Sequence, residues 1–253
     1  YINKKSRGIK LQTNDNTLPE GKRNLAYQAA EIILDRSGIK KGVEIFIEKN
    51  IPIAAGLAGG STDAAAVLRG INQLYQLKYD FQILKELGSE IGSDVPFCLR
   101  GGTALAVDRG DEIKQLPDLF PQKILIINPS VQISTKKVYQ KYDVVKPSLN
   151  IPTQKLIKLI KNREKISWNE GWDNVLEPVT MDMVKDVKEI KNILKDYYNV
   201  QFCLMTGSGP TVFAIIENEA KANEIINDWP RTEDYLFLTT TLKKYFNKSA
   251  GWF

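Results

Sequence analysis

Residues 51–66 read Ile51-Pro52-Ile53-Ala54-Ala55-Gly56-Leu57-Ala58-Gly59-Gly60-Ser61-Thr62-Asp63-Ala64-Ala65-Ala66. The glycines let the backbone approach a ligand closely and adopt positive φ. Ser61, Thr62 and Asp63 form a cluster typical of a helix N-cap, and the alanines that follow begin the predicted helix. A helix start offers unpaired N–H groups and the positive end of the helix dipole, which suits a phosphate. The pattern alone leaves a tight loop before a closely packed helix as an equal alternative.

Two widespread phosphate-binding motifs do not match this stretch. A P-loop requires Gly-Lys-Ser/Thr, whereas Gly60 is followed directly by Ser61. A dinucleotide-binding fold requires G-x-G-x-x-G after a strand, and the glycines here stand at positions 56, 59 and 60. Ser61 or Thr62 could still offer a hydroxyl to a phosphate or to Mg²⁺.

The composition is that of an ordinary folded protein, with 253 residues, 43% of them hydrophobic and 26% charged. These fractions exclude a disordered or collagen-like chain.

The sequence contains no histidine. Ser-His-Asp and Cys-His nucleophilic chemistry and imidazole metal sites are therefore excluded for these residues. Proton transfer near neutral pH must use a carboxylate, Lys, Tyr, Cys or water.

The chain is mildly basic, because 35 Lys and Arg residues outnumber 30 Asp and Glu residues by 5. Lys155, Lys158 and Lys161 recur at helical spacing, which indicates a solvated helix face rather than a nucleic-acid surface. A moderately basic surface suits a phosphorylated, anionic substrate. No apolar run approaches the roughly 20 residues that span a bilayer, so no membrane segment is predicted.

Sequence features that bear on location indicate the cytoplasm. Cys98 and Cys203 lie in apolar stretches, and we expect buried free thiols rather than a disulfide framework. The first residues contain no signal-peptide core. The chain begins at Tyr1 without an initiator Met, so we expect it to start partway into a longer protein.

Helical and strand periodicities alternate irregularly along the chain, which favours an α+β fold over a doubly wound sheet. Residues 117–121, Pro-Asp-Leu-Phe-Pro, break regular structure twice and form a predicted hinge. The segment Gly92-Ser93-Asp94-Val95-Pro96 is expected to end the predicted helix at residues 80–91, because proline cannot continue a helix. Predicted helices cover residues 24–35, 64–75, 80–91, 135–142, 153–163, 181–197 and 221–229, and predicted strands cover 43–48, 103–107, 123–128, 201–204, 211–216 and 235–241.

Two further segments carry polar or glycine residues at predicted breaks. Asp94 stands between Gly-Ser and Val-Pro, where an Asp is most often a turn or capping residue. The functional alternative for Asp94 is a carboxylate that takes a proton from a substrate hydroxyl. Gly207-Ser208-Gly209 lies between two predicted strands, and turn chemistry alone favours a plain turn there.

Four segments together resemble the GHMP small-molecule kinases. Residues 52–65 resemble the second motif of that family, its ATP phosphate loop, and residues 206–214 resemble its third motif. Residues 92–97 and 24–30 narrow the resemblance to the kinases that phosphorylate the 2-hydroxyl of a cytidine diphosphate-linked methylerythritol in the non-mevalonate route to isoprenoid precursors. The segments occur in the family's order over most of the chain.

The resemblance implies an α+β, two-domain GHMP kinase fold. Its first domain, of the ribosomal protein S5 domain 2-like type, would span residues 1–118 and hold the phosphate loop and the catalytic Asp. Its second domain, of the ferredoxin-like type, would span residues 119–253.

The resemblance also implies a role for each matching residue. Asp94 would accept the proton of the attacking hydroxyl, and Tyr139 would lie against the cytosine of the substrate. Asn24 and Leu25 would border the nucleotide pocket. The turn Gly207, Ser208 and Gly209 would face the transferred phosphate. Mg²⁺ would lie near Ser61 and Thr62. The residues that bind ATP would be Pro52, Ile53, Ala54, Ala55, Gly56, Leu57, Ala58, Gly59, Gly60, Ser61 and Thr62.

The sequence departs from the family at its beginning. The family's first motif supplies a Lys beside the catalytic Asp and a His in the substrate pocket, and that motif is not among residues 1–253. This departure leaves an inactive nucleotide-binding remnant as one alternative. The other alternative is a GHMP kinase that acts on homoserine, mevalonate or a sugar.

Overall fold

The computed structural model of the chain describes residues 1–108, 110–168 and 171–244. The chain forms two compact units. Unit 1 takes residues 1–51 and 58–115 together with Lys244, and unit 2 takes residues 52–57 and 116–243. The prediction of a single boundary after residue 118 therefore misses two segments. Residues 52–57 pack with the second unit, and Lys244 belongs to the first because it forms a backbone bridge with Gly101.

Unit 1 combines a three-stranded sheet with helices that cover an aliphatic core. The strand order is β1-β3-β2, in which β3 pairs antiparallel with β1 and parallel with β2. Alanines at buried positions of two helices, such as Ala29 and Ala64, allow close packing. The elements are β1 (Ile2–Lys5), β2 (Ile9–Thr13), α1 (Leu25–Ser37), β3 (Gly42–Ile47), α2 (Gly59–Leu74), α3 (Phe81–Ile91), α4 (Val95–Arg100), β4 (Ala104–Val107) and β5 (Glu112–Gln115).

Unit 2 is built on a four-stranded antiparallel sheet in the order β7-β8-β6-β9. With helices between β6 and β7 and between β8 and β9, this is the β-α-β-β-α-β arrangement of ferredoxin-like folds. The predicted α+β fold is confirmed. The elements are β6 (Lys123–Asn128), α5 (Thr135–Val145), α6 (Thr153–Asn162), α7 (Glu177–Met183), α8 (Lys185–Asn192), a π-helical turn (Ile193–Tyr197), β7 (Phe202–Met205), β8 (Val212–Ile216), α9 (Glu219–Asn227) and β9 (Tyr235–Thr240).

Capping residues set several helix boundaries. Asn24 accepts a hydrogen bond from the Ala26 N–H at the start of α1, and Gly38 ends that helix with φ of 69°. Asp80 accepts a hydrogen bond from the Ile83 N–H at the start of α3. These ends can be predicted because each depends on a residue within three positions of the cap.

One prediction about helix continuity was wrong. Residues 181–197 do not form one helix, because Val184 is extended, with φ of −133° and ψ of 99°, and separates α7 from α8. The predicted end of the third helix is confirmed, since α3 ends at Ile91, and Pro96 lies in the first turn of the next helix, α4. Proline is tolerated there because a first-turn N–H has no intrahelical partner. Among the described residues, no helix combines the length and the apolar character needed to cross a membrane.

A buried cluster of charges ties the loop before β9 to α8. Arg231 donates hydrogen bonds to Asp234 at 2.8 Å and to Asp186 at 2.5 Å. Burial by itself would lower the pKa of Arg231, but its bonds and charge contacts with these two carboxylates raise that pKa above its ordinary value. The Asp234 side chain is fully buried, and its Oδ1 has no partner among the described residues. Arg231 is thus the main compensation for a buried carboxylate.

We expect Arg231→Met to lower the free energy of unfolding by about 3 kcal/mol, because it leaves the Asp234 carboxylate buried without its cation. Urea unfolding measures the loss. The control is Lys114→Met, which removes an exposed pair with Glu112 and should cost less than about 1 kcal/mol. Equal losses in the two variants would contradict the role assigned to Arg231.

Candidate active site

The first part of the glycine-rich loop, residues 52–57, lies against the glycine turn at residues 206–209 in unit 2. The Thr206 hydroxyl donates a hydrogen bond to the Gly56 carbonyl at 3.1 Å. Gly56 has φ of 73°, and a Cβ on it would lie 2.5 Å from the Thr206 carbonyl oxygen and 2.9 Å from the Gly209 carbonyl oxygen. Only glycine fits a backbone that approaches another backbone this closely. The structure therefore brings two predicted glycine segments together.

The second part of the loop forms the N-terminus of α2 in unit 1. The N-cap is Ala58, which has φ of 51° and makes no side-chain capping bond. The prediction that Ser61, Thr62 and Asp63 form the N-cap was therefore wrong, because the helix begins two residues earlier, at Gly59. The first intrahelical bond runs from the Thr62 N–H to the Ala58 carbonyl at 2.9 Å. The three preceding N–H groups thus have no acceptor among the described residues and are available to an anion.

A partly buried ion pair links the start of α2 to the segment that follows β3. Lys49 Nζ lies 2.6 Å from Asp63 Oδ2, and the Lys49 side chain is 6% exposed. A Cβ on Gly59 would lie 2.9 Å from the same Nζ, so the ammonium group is beside the first residue of α2. Lys49 adds a positive charge to a helix N-terminus that already favours anions. The sequence offered no local signal for this pair.

Asp94 precedes α4, and its side chain is exposed. It lies in the turn before α4, at the N-cap position, but its side chain makes no capping hydrogen bond. One turn later, the Cys98 N–H donates to the Asp94 carbonyl, and the Cys98 sulfur lies 3.6 Å from the Thr62 hydroxyl. The helix that begins beside Asp94 thus packs on the first turn of α2. Unit 1 places an uncommitted carboxylate near a candidate phosphate site.

The two cysteines are free thiols, as predicted. Cys203 is buried, whereas Cys98 is only half-buried. Burial raises the pKa of both thiols, and for Cys98 the hydrogen bond with Thr62 opposes part of that rise. A thiol with a raised pKa stays protonated near neutral pH, so Cys98 is not an activated nucleophile.

The glycine turn is braced by a side chain that the sequence analysis did not single out. Asn174 Nδ2 donates to the carbonyl of Met205 at 2.9 Å and to the carbonyl of Gly207 at 2.7 Å. Asn174 Oδ1 accepts from the Leu176 N–H, which begins α7. One amide therefore links the turn to the start of a helix.

A buried ion pair supports the same turn from its strand side. Glu177 Oε2 accepts a hydrogen bond from the Met205 N–H at 2.7 Å, and Glu177 Oε1 is paired with Lys191. Glu177 is 7% exposed and Lys191 is 9% exposed. A buried, fully paired carboxylate fixes a backbone group more firmly than an exposed side chain does. The last residue of β7 is held in place immediately before the turn.

Helix α5 begins beside the turn and carries Tyr139. The hydroxyl groups of Thr135 and Ser208 are 2.8 Å apart. Tyr139 lies one helical turn after Thr135 and is 52% exposed. Its ring is therefore presented on the helix whose first residue contacts the glycine turn, within unit 2.

Asn24 and Leu25, which were predicted to border the nucleotide pocket, have different contacts in the structure. Asn24 uses its side-chain oxygen for the α1 cap and its amide for a bond to the Pro19 carbonyl, so its polar atoms are already engaged. Leu25 lies against the loop, because a Cβ on Gly60 would be 3.4 Å from Leu25 Cδ1. Leu25 therefore borders the start of α2. Asn24 has a structural role at the start of α1.

The polar groups present fit a phosphate-bound Mg²⁺ better than a resident metal. The described residues contain no group of three acidic or thiol side chains placed to hold a metal ion. The Thr62 hydroxyl already donates to the Ala58 carbonyl, while the Ser61 hydroxyl makes no hydrogen bond within the described residues. Mg²⁺ commonly reaches such sites on the phosphates of its substrate, with few protein ligands.

A glycine-rich loop that ends in a helix N-terminus, with a carboxylate just before a neighbouring helix, is typical of small-molecule kinases. Family models agree with this class. The model described as "GHMP kinases N terminal domain" matches residues 24–102, and the model described as "GHMP kinases C terminal" matches residues 156–234. Membership of this family implies the use of ATP.

The chain is similar to several proteins named 4-diphosphocytidyl-2-C-methyl-D-erythritol kinase. It is 42% identical over 222 residues to the one from Exiguobacterium sibiricum, covering 87% of this chain and 76% of the relative. It is 44% identical to the one from Bacillus subtilis, covering 87% and 75%. A crystal structure of 4-(cytidine 5'-diphospho)-2C-methyl-D-erythritol kinase superposes with a TM-score of 0.76 at 29% identity, covering 96% of this chain and 85% of that one. The chain belongs to the 4-diphosphocytidyl-2-C-methyl-D-erythritol kinase family of GHMP kinases.

Proposed function

We propose that this chain transfers the γ-phosphoryl group of ATP to the 2-hydroxyl of 4-diphosphocytidyl-2-C-methyl-D-erythritol, as a cytoplasmic enzyme that helps to supply isoprenoid precursors. The observation that carries the proposal is the N-terminus of α2, where three unpaired N–H groups lie beside the helix that follows Asp94. The names of the relatives favour this substrate over homoserine, mevalonate or a sugar.

Each part of the site has a chemical role in this proposal. The N–H groups at the start of α2 bind the phosphates of ATP, and the Lys49 ammonium beside Gly59 adds positive charge there. Asp94 takes the proton of the attacking hydroxyl. The glycine turn at residues 207–209 offers N–H groups to a phosphate. Residues 52–57 pack against this turn through Gly56. Phosphoryl transfer needs positioning and charge neutralisation rather than covalent catalysis, so the absence of histidine is no obstacle.

Mg²⁺ neutralises phosphate charge when it is bound, and Ser61 is the residue of this chain best placed to offer it a hydroxyl. Thr62 was predicted as a second ligand. Its hydroxyl is engaged with the Ala58 carbonyl, so we assign the metal contact to Ser61 alone. Tyr139 stacks on the cytosine ring of the substrate in this proposal, because it is exposed on the helix that starts at the glycine turn.

The substrate is tested by measuring ATP consumption with four acceptors at equal concentration. We expect turnover with 4-diphosphocytidyl-2-C-methyl-D-erythritol and at least about 100-fold lower kcat/KM with homoserine, mevalonate and galactose, because only the first carries a cytidine group. Preference for an acceptor without cytidine would reject the assignment. ATP binding without turnover of any acceptor would instead support a nucleotide-binding remnant.

The brace on the glycine turn leads to a prediction about Asn174. We expect Asn174→Ala to lower kcat about tenfold to a hundredfold, because the turn loses both bonds that hold its carbonyls and its N–H groups move away from the phosphate. Asn174→Asp should be at least as harmful, since a carboxylate would face two carbonyl oxygens. Steady-state kinetics on the purified variants measures the change.

Asn218→Ala is the matched control for Asn174. Asn218 accepts from the Lys221 N–H as the N-cap of α9 in unit 2, as Asn174 accepts from the Leu176 N–H just before α7. Each variant removes one such side-chain acceptor and should lose about 1 kcal/mol of stability, while only Asn174→Ala should lose activity. Equal kcat in the two variants would show that Asn174 does not position the turn.

Substitution of Tyr139 is expected to affect binding of the cytidine substrate and not binding of ATP. We expect Tyr139→Ala to raise KM for the cytidine substrate about tenfold and to leave KM for ATP unchanged, because stacking on one base contributes about 1–3 kcal/mol. Tyr139→Phe keeps the ring and should retain the wild-type KM. The assignment is wrong if Tyr139→Ala changes KM for ATP and not for the cytidine substrate.

A further inference from the structure

A second concave site lies in unit 2, away from the glycine turn. The cavity has a volume of about 690 Å³ and is lined by the start of β6, the start of β7 and the end of β8. Strand β7 runs from Phe202 at this cavity to Met205 beside the glycine turn, and β8 returns from Val212 to Ile216. The cavity is therefore at the opposite end of the sheet from the residues assigned to phosphoryl transfer. Its volume is within the range of small-molecule sites.

One wall of this cavity is aromatic. The rings of Trp168 and Phe202 lie 5.5 Å apart, and Tyr198 lines the same wall. Tyr198 is fixed by a hydrogen bond from its hydroxyl to the Asp228 carbonyl and by stacking on Trp229. Trp168 is the most exposed of the three lining rings, since Tyr198 and Phe202 are buried. A preformed wall of this kind suits a flat ring of a ligand.

The other lining residues make the cavity positive. The lining contains three lysines, Lys123, Lys165 and Lys221. It contains one described carboxylate, that of Glu217. Lys123 pairs with Glu219 and Lys221 pairs with Glu224, but both contacts are solvent-exposed and therefore weak. Lys165 is exposed and makes no ion pair within the described part of the chain. An anionic group that enters the cavity would meet these ammonium groups.

We propose that this cavity is a second ligand site, which binds a small molecule that carries a planar aromatic ring and an anionic group. The ring lies against Trp168, and the anion lies among the lysines. Either feature alone is common on protein surfaces. Their combination in one concave site indicates a ligand that has both a ring and an anionic group. A neutral ring would make no contact with the lysines, and a simple anion would make no contact with the aromatic wall.

The test is calorimetric titration of the chain with 1-naphthyl phosphate, 1-naphthol and inorganic phosphate. We expect 1-naphthyl phosphate to bind saturably and at least about tenfold more tightly than either of the other two probes, because only it makes both kinds of contact. The proposal is overturned if 1-naphthyl phosphate does not bind or if inorganic phosphate binds equally well.

Two variants locate the binding. Trp168→Leu should weaken binding of 1-naphthyl phosphate about tenfold, and Lys165→Glu should weaken it about fivefold. Lys161→Glu is the matched control, because it makes the same charge change at an exposed residue outside the cavity lining and should have little effect. Lys165→Glu changes an exposed side chain, so it remains informative if Trp168→Leu does not fold. Equal affinity in Lys165→Glu, Lys161→Glu and the unaltered chain would place the probe elsewhere and reject the proposal.

Discussion

Asp94→Asn should reduce kcat with 4-diphosphocytidyl-2-C-methyl-D-erythritol about a thousandfold, because general-base catalysis contributes about 10²–10⁴ and an amide cannot accept the proton. Asparagine keeps the size of the side chain, so KM for ATP should change little. Asp94 is exposed and makes no capping bond, and the variant should therefore unfold at the same temperature as the unaltered chain. Steady-state kinetics and thermal unfolding measured on the same preparation check both expectations.

The control for Asp94 is Asp35→Asn. Asp35 is also exposed, on α1, and has no assigned part in the reaction. The two variants lose the same charge, so a general electrostatic effect would slow both. Wild-type turnover in Asp94→Asn would remove Asp94 from the role of base and, because the chain contains no histidine, would direct the search to another carboxylate, Lys or Tyr.

The second large effect is expected from Gly56→Ala. A methyl group at this position would lie 2.5 Å from the Thr206 carbonyl oxygen, and φ of 73° is itself unfavourable for alanine. Both neighbouring oxygens belong to the backbone, so they cannot move aside as a flexible side chain would. We expect a loss of about 2 kcal/mol in stability from strain. We also expect KM for ATP to rise at least about tenfold, because residues 52–57 move away from the glycine turn.

Gly21→Ala is the control for this change. A Cβ on Gly21 meets no atom within 4 Å. The substitution should therefore be neutral or slightly stabilising, since alanine has less conformational freedom in the unfolded chain. Calorimetric titration with ATP and thermal unfolding measure both variants. The close approach of loop and turn is unimportant for nucleotide binding if Gly56→Ala binds ATP as Gly21→Ala does.

The features that could be predicted from the sequence depend on near neighbours in the chain. Asn24 marks the start of α1 by a side-chain cap, and Gly38 marks its end because glycine readily adopts the positive φ found there. The apolar residues of β6 identify a central strand, and Leu125 and Ile127 are fully buried in it. The glycine loop and Asp94 also stand out locally. Residue type and spacing are sufficient for such features.

Other elements could not be predicted because their stability comes from partners distant in the chain. Strand β1 has three exposed residues out of four and no alternating pattern, and it forms because it pairs with β3 about 40 positions later. Helix α4 was not predicted, because Pro96 in its first turn indicates a helix break when only its near neighbours are considered. The ion pair between Lys49 and Asp63 joins the end of a strand to the start of a helix, and neither residue signals it alone.

The sequence by itself determined the family, the place of the glycine-rich loop in the chain and the restriction on proton-transfer groups that follows from the lack of histidine in residues 1–253. Only the tertiary structure decided how the loop is divided between the two units and what braces the glycine turn. Glu177 and Met205 are 28 residues apart in the chain, and Thr206 and Gly56 are 150 apart. A hydrogen bond requires two groups within about 3 Å, and only folding brings such distant residues to that distance.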